Sequence, residues 1–267
     1  MKSEGRCPVG IFDSGLGGLT VVKGIRKYLP NEDIIYFGDT ARVPYGNKSR
    51  STIVRFAREI MAFMTAREVK AVIVACNTAS SLSLNVLKKA YPFPVIGVIS
   101  PGVKEAMRVS GNRRIGVIGT KSTIASLAYQ KEILKRDKHA KVFSKSCPLF
   151  VPLVENGLTN SPITYQAVQM YLKSLIEKKI DTLILGCTHY PILKNVIRKV
   201  TGKINLVDST FAVAKEVDEL LRGKKIENAG MKRMGKVSCF VSDDVKGFRQ
   251  TATMFLKEKI HVKKIVL

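Results

Sequence analysis

No apolar run in the 267-residue chain approaches the roughly 20 residues that span a bilayer. The opening Met1-Lys2-Ser3-Glu4-Gly5-Arg6 leads into no apolar segment of the kind a secretion signal carries. A cytoplasmic protein without a membrane anchor is expected. The five cysteines, at 7, 76, 147, 187 and 239, are odd in number, widely spaced and never in Cys-x-x-Cys, which argues against a disulfide framework and a zinc site and for free thiols. Only three histidines occur, at 139, 189 and 261, with no pair at ligand spacing, so no metal is expected. A G-x-x-x-x-G-K-[ST] loop is missing, and Asp13-Ser14-Gly15-Leu16-Gly17-Gly18 departs from G-x-G-x-x-G because Gly18 comes too early. Acidic residues are scarce, 21 against 45 Lys and Arg, giving a formal charge of +24. That excess admits nucleic acid as a partner. The basic residues are nevertheless scattered through helix-like segments, as at Lys23, Arg26, Lys27 and Lys194, Arg198, Lys199, without interleaved aromatics. Nucleic-acid binding is therefore not the expectation; a solvated basic surface is, and its field would draw an anionic substrate towards a cleft.

What the chain does have is alternation. Short apolar runs at Val9 to Phe12, Ile34 to Phe37, Ala71 to Ala75, Val95 to Val98, Ile115 to Ile118, Thr182 to Leu185, Ile204 to Val207 and Val237 to Val241 are separated by longer helical segments. This predicts an α/β protein with largely parallel sheets flanked by helices. From Ser161 onward, Val168, Tyr171, Leu172, Leu175 and Ile176 share one face, the pattern of a covering helix. The halves also echo each other: Cys76 follows Asp13 by 63 residues and Cys187 follows Thr120 by 67. Duplication would give two pseudo-symmetric lobes with a cleft between them.

Cys76 and Cys187 each end a buried apolar run and precede hydrogen-bonding residues, Asn77-Thr78 in one case and Thr188-His189 in the other. A cysteine after a buried strand is most often a small core hydrophobe, and that reading stands for Cys7, Cys147 and Cys239. For the pair, the following segments start helices, whose free N–H groups and partial charge favour thiolates and bind carboxylates. With a reference thiol pKa of ~8.5, a modest shift would populate both forms near neutrality. One thiolate and one thiol on opposite sides of a substrate can remove a proton from one face of a carbon and deliver one to the other, inverting a stereocentre. A covalent mechanism would need a single thiol. Asp13-Ser14 and Thr120 with Thr123 can bind anionic groups or simply cap helices, and His189 is placed to assist Cys187.

Taken together, Gly10-Ile11-Phe12-Asp13-Ser14-Gly15-Leu16-Gly17-Gly18, Asp39-Thr40-Ala41-Arg42-Val43-Pro44-Tyr45-Gly46, Ala75-Cys76-Asn77-Thr78-Ala79-Ser80 and Gly186-Cys187-Thr188-His189-Tyr190-Pro191 resemble the glutamate racemases of the aspartate/glutamate racemase family. Cys147 to Glu155 and Leu206-Val207-Asp208-Ser209 agree with the same pattern. The resemblance implies cofactor-independent interconversion of L- and D-glutamate, supplying D-glutamate for peptidoglycan, with Cys76 and Cys187 as the proton donors and acceptors. It further implies Asp13 assisting Cys76, His189 assisting Cys187, Glu155 partnering the histidine, and Asp13, Ser14, Pro44, Tyr45, Gly46, Asn77, Thr78, Thr120, Thr123, Thr188 and His189 holding the substrate. A homodimer is the assembly it implies. Lobe boundaries follow from the same pattern: residues 1–97 with 210–267 carry Cys76, and 98–209 carry Cys187. Aspartate racemases are the nearest alternative, but they usually place a glutamate where His189 stands. A non-catalytic anion-binding protein of this fold is the alternative of another class; the two intact cysteines count against it. Two features depart from the family: Ser122 in Gly119-Thr120-Lys121-Ser122-Thr123, commonly a glycine, and the strongly basic charge.

Overall fold

The computed structural model describes residues 6–228 and 233–267. Residues 1–5, where a leader was sought, and 229–232, within the C-terminal part of the first lobe, lie outside the described residues. The chain begins with β1 (Val9–Asp13), α1 (Leu19–Tyr28), β2 (Ile34–Gly38), α2 (Arg50–Thr65), β3 (Ala71–Val74), α3 (Asn77–Ala90) and β4 (Val95–Gly97). It continues through α4 (Ile99–Val109), β5 (Arg114–Gly119), α5 (Lys121–Ala125), α6 (Ala128–Arg136), β6 (Lys141–Ser146), α7 (Phe150–Glu155), α8 (Pro162–Glu177), β7 (Thr182–Gly186), α9 (Lys194–Thr201) and β8 (Asn205–Val207). The remaining elements are α10 (Thr210–Lys224), β9 (Val237–Val241), α11 (Val245–Leu256) and β10 (His261–Lys264).

The strands form two all-parallel sheets, ordered β10-β9-β2-β1-β3-β4 and β6-β5-β7-β8. The order β2-β1-β3-β4 in one is repeated as β6-β5-β7-β8 in the other, and β9 and β10 extend only the first. Cys76 after β3 and Cys187 after β7 therefore occupy equivalent places, as do Asp13 at the end of β1 and Thr120 after β5. The two α/β lobes expected from the sequence are present.

Helices cover both faces of each sheet, which is why the strands read as continuous apolar runs rather than alternating ones. In the first sheet Val9 and Ile11 pack with Val213, Val217 and Leu221 of α10, while Phe12 packs with Ile53, Ile60 and Met64 of α2. In the second, Ile115 and Val117 meet Val103 of α4 and Ile133 of α6, and Ile118 joins Val168, Leu172 and Leu175 of α8. The covering helix predicted after Ser161 is α8; the Ser161 hydroxyl accepts the Thr164 N–H at 3.3 Å as its cap. Ile176, assigned to its buried face, is instead 36% exposed in the last turn. Two strands gave no apolar signal. β6 (Lys-Val-Phe-Ser-Lys-Ser) and β10 (His-Val-Lys-Lys) are edge strands, where lysines are favoured because they discourage pairing with other chains. β2 was legible although its counterpart β6 was not, because β9 buries its outer side. No helix among the described residues is long and apolar enough to cross a membrane.

Far from the cleft, Lys70 and Glu32 form a buried ion pair with Nζ and Oε2 2.6 Å apart and side chains 0% and 2% exposed. Lys70 also donates to the Ile226 carbonyl at 2.7 Å, and Glu32 accepts the Asn228 N–H at 2.6 Å, tying the segment after α10 to the first sheet. Breaking such a pair strands a buried charge, whereas an exposed pair is worth little. Lys70→Met is expected to lower the unfolding free energy by about 3–5 kcal/mol in urea titration. Lys104→Met, which removes the exposed partner of Glu216, should cost under about 1 kcal/mol. Equal small losses would contradict the role given to the buried pair.

Candidate active site

In a parallel sheet every strand delivers its carboxyl end to the same edge, and ligands gather there. Here the carboxyl edges of the two sheets face each other across a cavity of about 300 Å³. Its lining comes from the segments following six strands: Ser14 after β1, Val43 to Asn47 after β2, Cys76 to Thr78 after β3, Thr120 and Lys121 after β5, Cys147 to Glu155 in part after β6, and Cys187 to His189 after β7. Both thiols open onto this one space. Val43, Pro44, Pro148, Val151 and Pro152 supply an apolar wall.

Cys76 is the N-cap residue of α3, as expected, and its sulfur lies 3.8 Å from the Ser14 hydroxyl. Cys187 differs: only a short 3-10 turn, Tyr190–Leu193, follows it, with Pro191 in that turn as anticipated, and the full helix α9 begins later. What Cys187 has instead is His189, whose Nδ1 is 3.8 Å from the sulfur and whose Nε2 is 3.3 Å from Glu155 Oε1. The Asp13 carboxylate is fully buried. It accepts the N–H groups of Gly15 at 3.1 Å and Gly18 at 3.0 Å, and the Thr188 hydroxyl of the other lobe at 3.3 Å. It thus organises its own loop and ties that loop to the other lobe from behind the cavity. Thr120 both caps α5 through the Thr123 N–H and faces the cavity. The hydroxyls of Thr78, Thr120 and Thr123 form a triangle across the lobes at 2.9, 3.2 and 2.9 Å. Asn77 accepts from the Tyr129 hydroxyl at 2.6 Å, also across lobes. The Tyr45 hydroxyl, which faces away from solvent, donates to Asp39.

Close approach of the lobes requires glycine at two places. A Cβ on Gly17 would overlap the Thr188 hydroxyl and come within 2.8 Å of His189 Nδ1. One on Gly46 would sit 2.6 Å from Thr120 Cβ.

Electrostatics separates the groups. Burial, and then the Asp13 charge, pushes the Cys76 thiol up to about 12. The expectation of a thiol poised near neutrality is therefore corrected for Cys76: burial and a neighbouring carboxylate outweigh the helix terminus. Burial also lifts Asp13 above the usual carboxylate range, against the opposing pull of His189 and its hydrogen bonds. For His189, burial works to lower the imidazole, but the Cys187 sulfur at Nδ1, the Glu155 carboxylate 3.3 Å from Nε2 and the charges of Cys187 and Asp13 prevail and raise it to about 10.

Of the residues singled out in the sequence, Cys76, Cys187, His189, Glu155, Ser14, Pro44, Tyr45, Gly46, Asn77, Thr78, Thr120 and Thr188 line the cavity. Asp13 and Thr123 stand directly behind it, bonded to Thr188 and to Thr78 and Thr120. Val43, Asn47, Lys121, Cys147, Pro148, Val151 and Pro152 also line the cavity without having been singled out. The Cys147 to Glu155 stretch carried the signal, since a block that reaches the cavity with Glu155 must bring its preceding turn along. Burial drives the Cys147 thiol well above its ordinary range, in keeping with a packing role. Among the described residues no group of three or more His, Cys, Asp or Glu is arranged to hold a metal.

Residues 16–217 match the Asp/Glu/hydantoin racemase family. A glutamate racemase from Geobacter metallireducens is 47% identical over 253 residues, covering 94% of this chain and 93% of its own. The structure of a glutamate racemase isoform from Bacillus anthracis superposes with a TM-score of 0.93 at 38% identity, covering 98% of both chains. That of a Francisella tularensis glutamate racemase in complex with D-glutamate does so at 0.91 and 41%, again with 98% of both.

Two outcomes follow from the charges around the thiols. A negative neighbour disfavours a second negative charge, so Asp13→Asn should lower the Cys76 pKa and accelerate its alkylation by iodoacetamide at pH 8; an unchanged or slower rate would contradict the coupling. Because the imidazole is raised to about 10, nitrogen NMR at pH 8 should find both ring nitrogens of His189 protonated, and a neutral tautomer there would be inconsistent with the geometry.

Proposed function

The chain belongs to the Asp/Glu/hydantoin racemase family and is an amino-acid racemase, and we propose that it interconverts L- and D-glutamate by proton transfer between Cα and the thiols of Cys76 and Cys187. The observation that carries this reading is that the two sulfurs end equivalent strands of two matching sheets and open onto a single small cavity. A substrate seated between them presents one face to each.

In one direction the thiolate of one cysteine takes the α-proton and becomes a thiol. The electron pair left on Cα spreads onto the α-carboxylate. The thiol of the other cysteine then returns a proton to the opposite face and becomes the thiolate, so the enzyme ends in the mirrored protonation state. The reverse reaction runs the same path backwards, which accounts for two acid-base groups of the same kind.

Forming a thiolate at Cys76 has a cost, since burial and Asp13 hold that thiol protonated. The incoming amino acid brings its own α-ammonium, and a positive charge in a dry cavity lowers a nearby thiol. Asp13, aimed into the same corner, is placed to take the proton that leaves the sulfur. His189, kept protonated between Cys187 and Glu155, is placed to hold or pass a proton on the other side. Each ten-fold in rate needs about 1.4 kcal/mol of transition-state stabilisation. Preorganised donors on the α-carboxylate are the source of it, because they strengthen as charge spreads there. Ser14, Asn77, Thr78, Thr120 and Thr188, with the backbone at Tyr45 and Gly46, are the groups positioned for the substrate's carboxylates and amine. No cofactor enters this scheme.

Glutamate rather than aspartate is favoured by His189 following Cys187-Thr188 and by the full-length likeness to glutamate racemases. The role that fits such a product is supply of D-glutamate for peptidoglycan in the cytoplasm. Residues 1–97 with 210–267 and 98–209 act as two lobes that open and close around the substrate.

Circular dichroism of L- and of D-glutamate, without added cofactor, should show both solutions decaying to zero ellipticity. Cys76→Ser and Cys187→Ser should each slow the decay by about 10²–10⁴, the range for loss of one acid-base group. Racemisation of aspartate but not glutamate would reassign the substrate, and full activity in either serine variant would remove the paired-thiol mechanism.

A further inference from the structure

Several hydrogen bonds join the lobes. Those of Thr78, Thr120, Asn77 and Thr188 involve cavity residues, so a bound substrate competes for the same donors and acceptors. Away from the cavity, Lys104 bonds Glu216 between α4 and α10, and at the cavity's rim a further contact joins the lobes. The Ser122 hydroxyl, in the first turn of α5, is 2.8 Å from the Gly46 carbonyl and 3.1 Å from the Lys48 carbonyl of the opposite lobe. Ser122 and Lys48 do not line the cavity, so the Ser122–Lys48 bond has no cavity residue at either end, and of the Ser122–Gly46 bond only the acceptor belongs to the cavity wall. The segment it grips, a short turn at Tyr45–Asn47 with Pro44 before it, is itself one wall of the cavity.

We infer that Ser122 is a positioning residue: a substrate-independent clasp that holds the 43–48 loop against α5 and keeps the unliganded enzyme close to its closed form. Without it, closure of that wall must be driven by substrate binding, and the apparent affinity falls accordingly. Removal of the hydroxyl takes away both of these bonds and leaves the close packing of Gly46 against Thr120 in place. The hydroxyl lies at the edge of the candidate active site, bonded to the loop and not to a cysteine. A single neutral hydrogen bond is worth about 0.5–1.5 kcal/mol, which corresponds to roughly a two- to twelve-fold change.

The inference rests on the racemase reading, and its test has one arm that does not. In hydrogen–deuterium exchange of the unliganded protein, Ser122→Ala and Ser122→Gly should each accelerate exchange of the amides of residues 45–49 by about two- to twelve-fold. Ser122→Thr, which keeps the hydroxyl, should restore slow exchange. In the second arm, KM for glutamate should rise by about the same factor in the Ala and Gly variants while kcat is unchanged or higher, and Thr should again restore it. Unaltered exchange at 45–49, or a fall in kcat with KM unchanged, would overturn the clasp. A wild type inactive on glutamate would overturn the substrate assignment and leave the exchange arm standing.

Discussion

The buried carboxylate of Asp13 is the point on which both lobes converge, and the rest of the cleft is arranged around the cost of keeping it there. It is fully buried, and a carboxylate in such a place must be hydrogen-bonded and faced by positive charge. Two backbone N–H groups of its own loop and a hydroxyl from the other lobe supply the bonds, and His189 supplies the charge. Those requirements fix much else. In the loop after β1, Gly18 must lack a side chain because a Cβ there would sit 2.5 Å from Asp13 Cβ and 2.7 Å from the Tyr36 hydroxyl, and Gly17 because Thr188 and His189 press against it. The same carboxylate raises the Cys76 thiol and the His189 imidazole, so one residue tunes acid-base groups on both sides of the cavity.

The matching strand orders give the two thiols equivalent positions, yet their surroundings are unlike. Cys76 has a helix terminus, a serine hydroxyl and a carboxylate; Cys187 has a protonated imidazole held by Glu155. A racemase acts on mirror-image substrates, but its own chain is built from one hand of amino acid and cannot be mirror-symmetric. Under the proposed mechanism, the two directions are therefore served by different groups around the two sulfurs. The duplicated fold provides the geometry, and the unlike loops provide the tuning.

Much of this was legible in the sequence because buried parallel strands announce themselves as unbroken apolar runs and because the residues after them line the cavity. Eight of the ten strands among the described residues, and the placing of both thiols at strand ends, came from that signal. The two that escaped, β6 and β10, are edge strands whose lysines carry the solubility of the sheet rather than its core. Most cavity residues followed from the family resemblance, not from spacing, since residues such as Pro44 and Glu155 sit on loops with no periodicity to read. The high Cys76 thiol could not be foreseen: its causes are first its own burial and then the Asp13 charge beside it, both facts of three-dimensional packing. Ser122 was visible only as a departure from pattern, and its partners, 74 and 76 residues away, appear only once the lobes are brought together.

The central claim is that separate thiols serve the two faces of the substrate, and isotope transfer at early turnover tests it most directly. L-glutamate with protium at Cα is mixed with the enzyme in D2O, and both enantiomers are recovered and weighed by mass spectrometry after a few per cent conversion. Two thiols predict D-glutamate that carries solvent deuterium in nearly every molecule, while the remaining L-glutamate keeps its protium, and the same pattern with the enantiomers exchanged. Product that retains the substrate's own proton would mean that one group serves both faces, and the account of paired Cys76 and Cys187 would be contradicted.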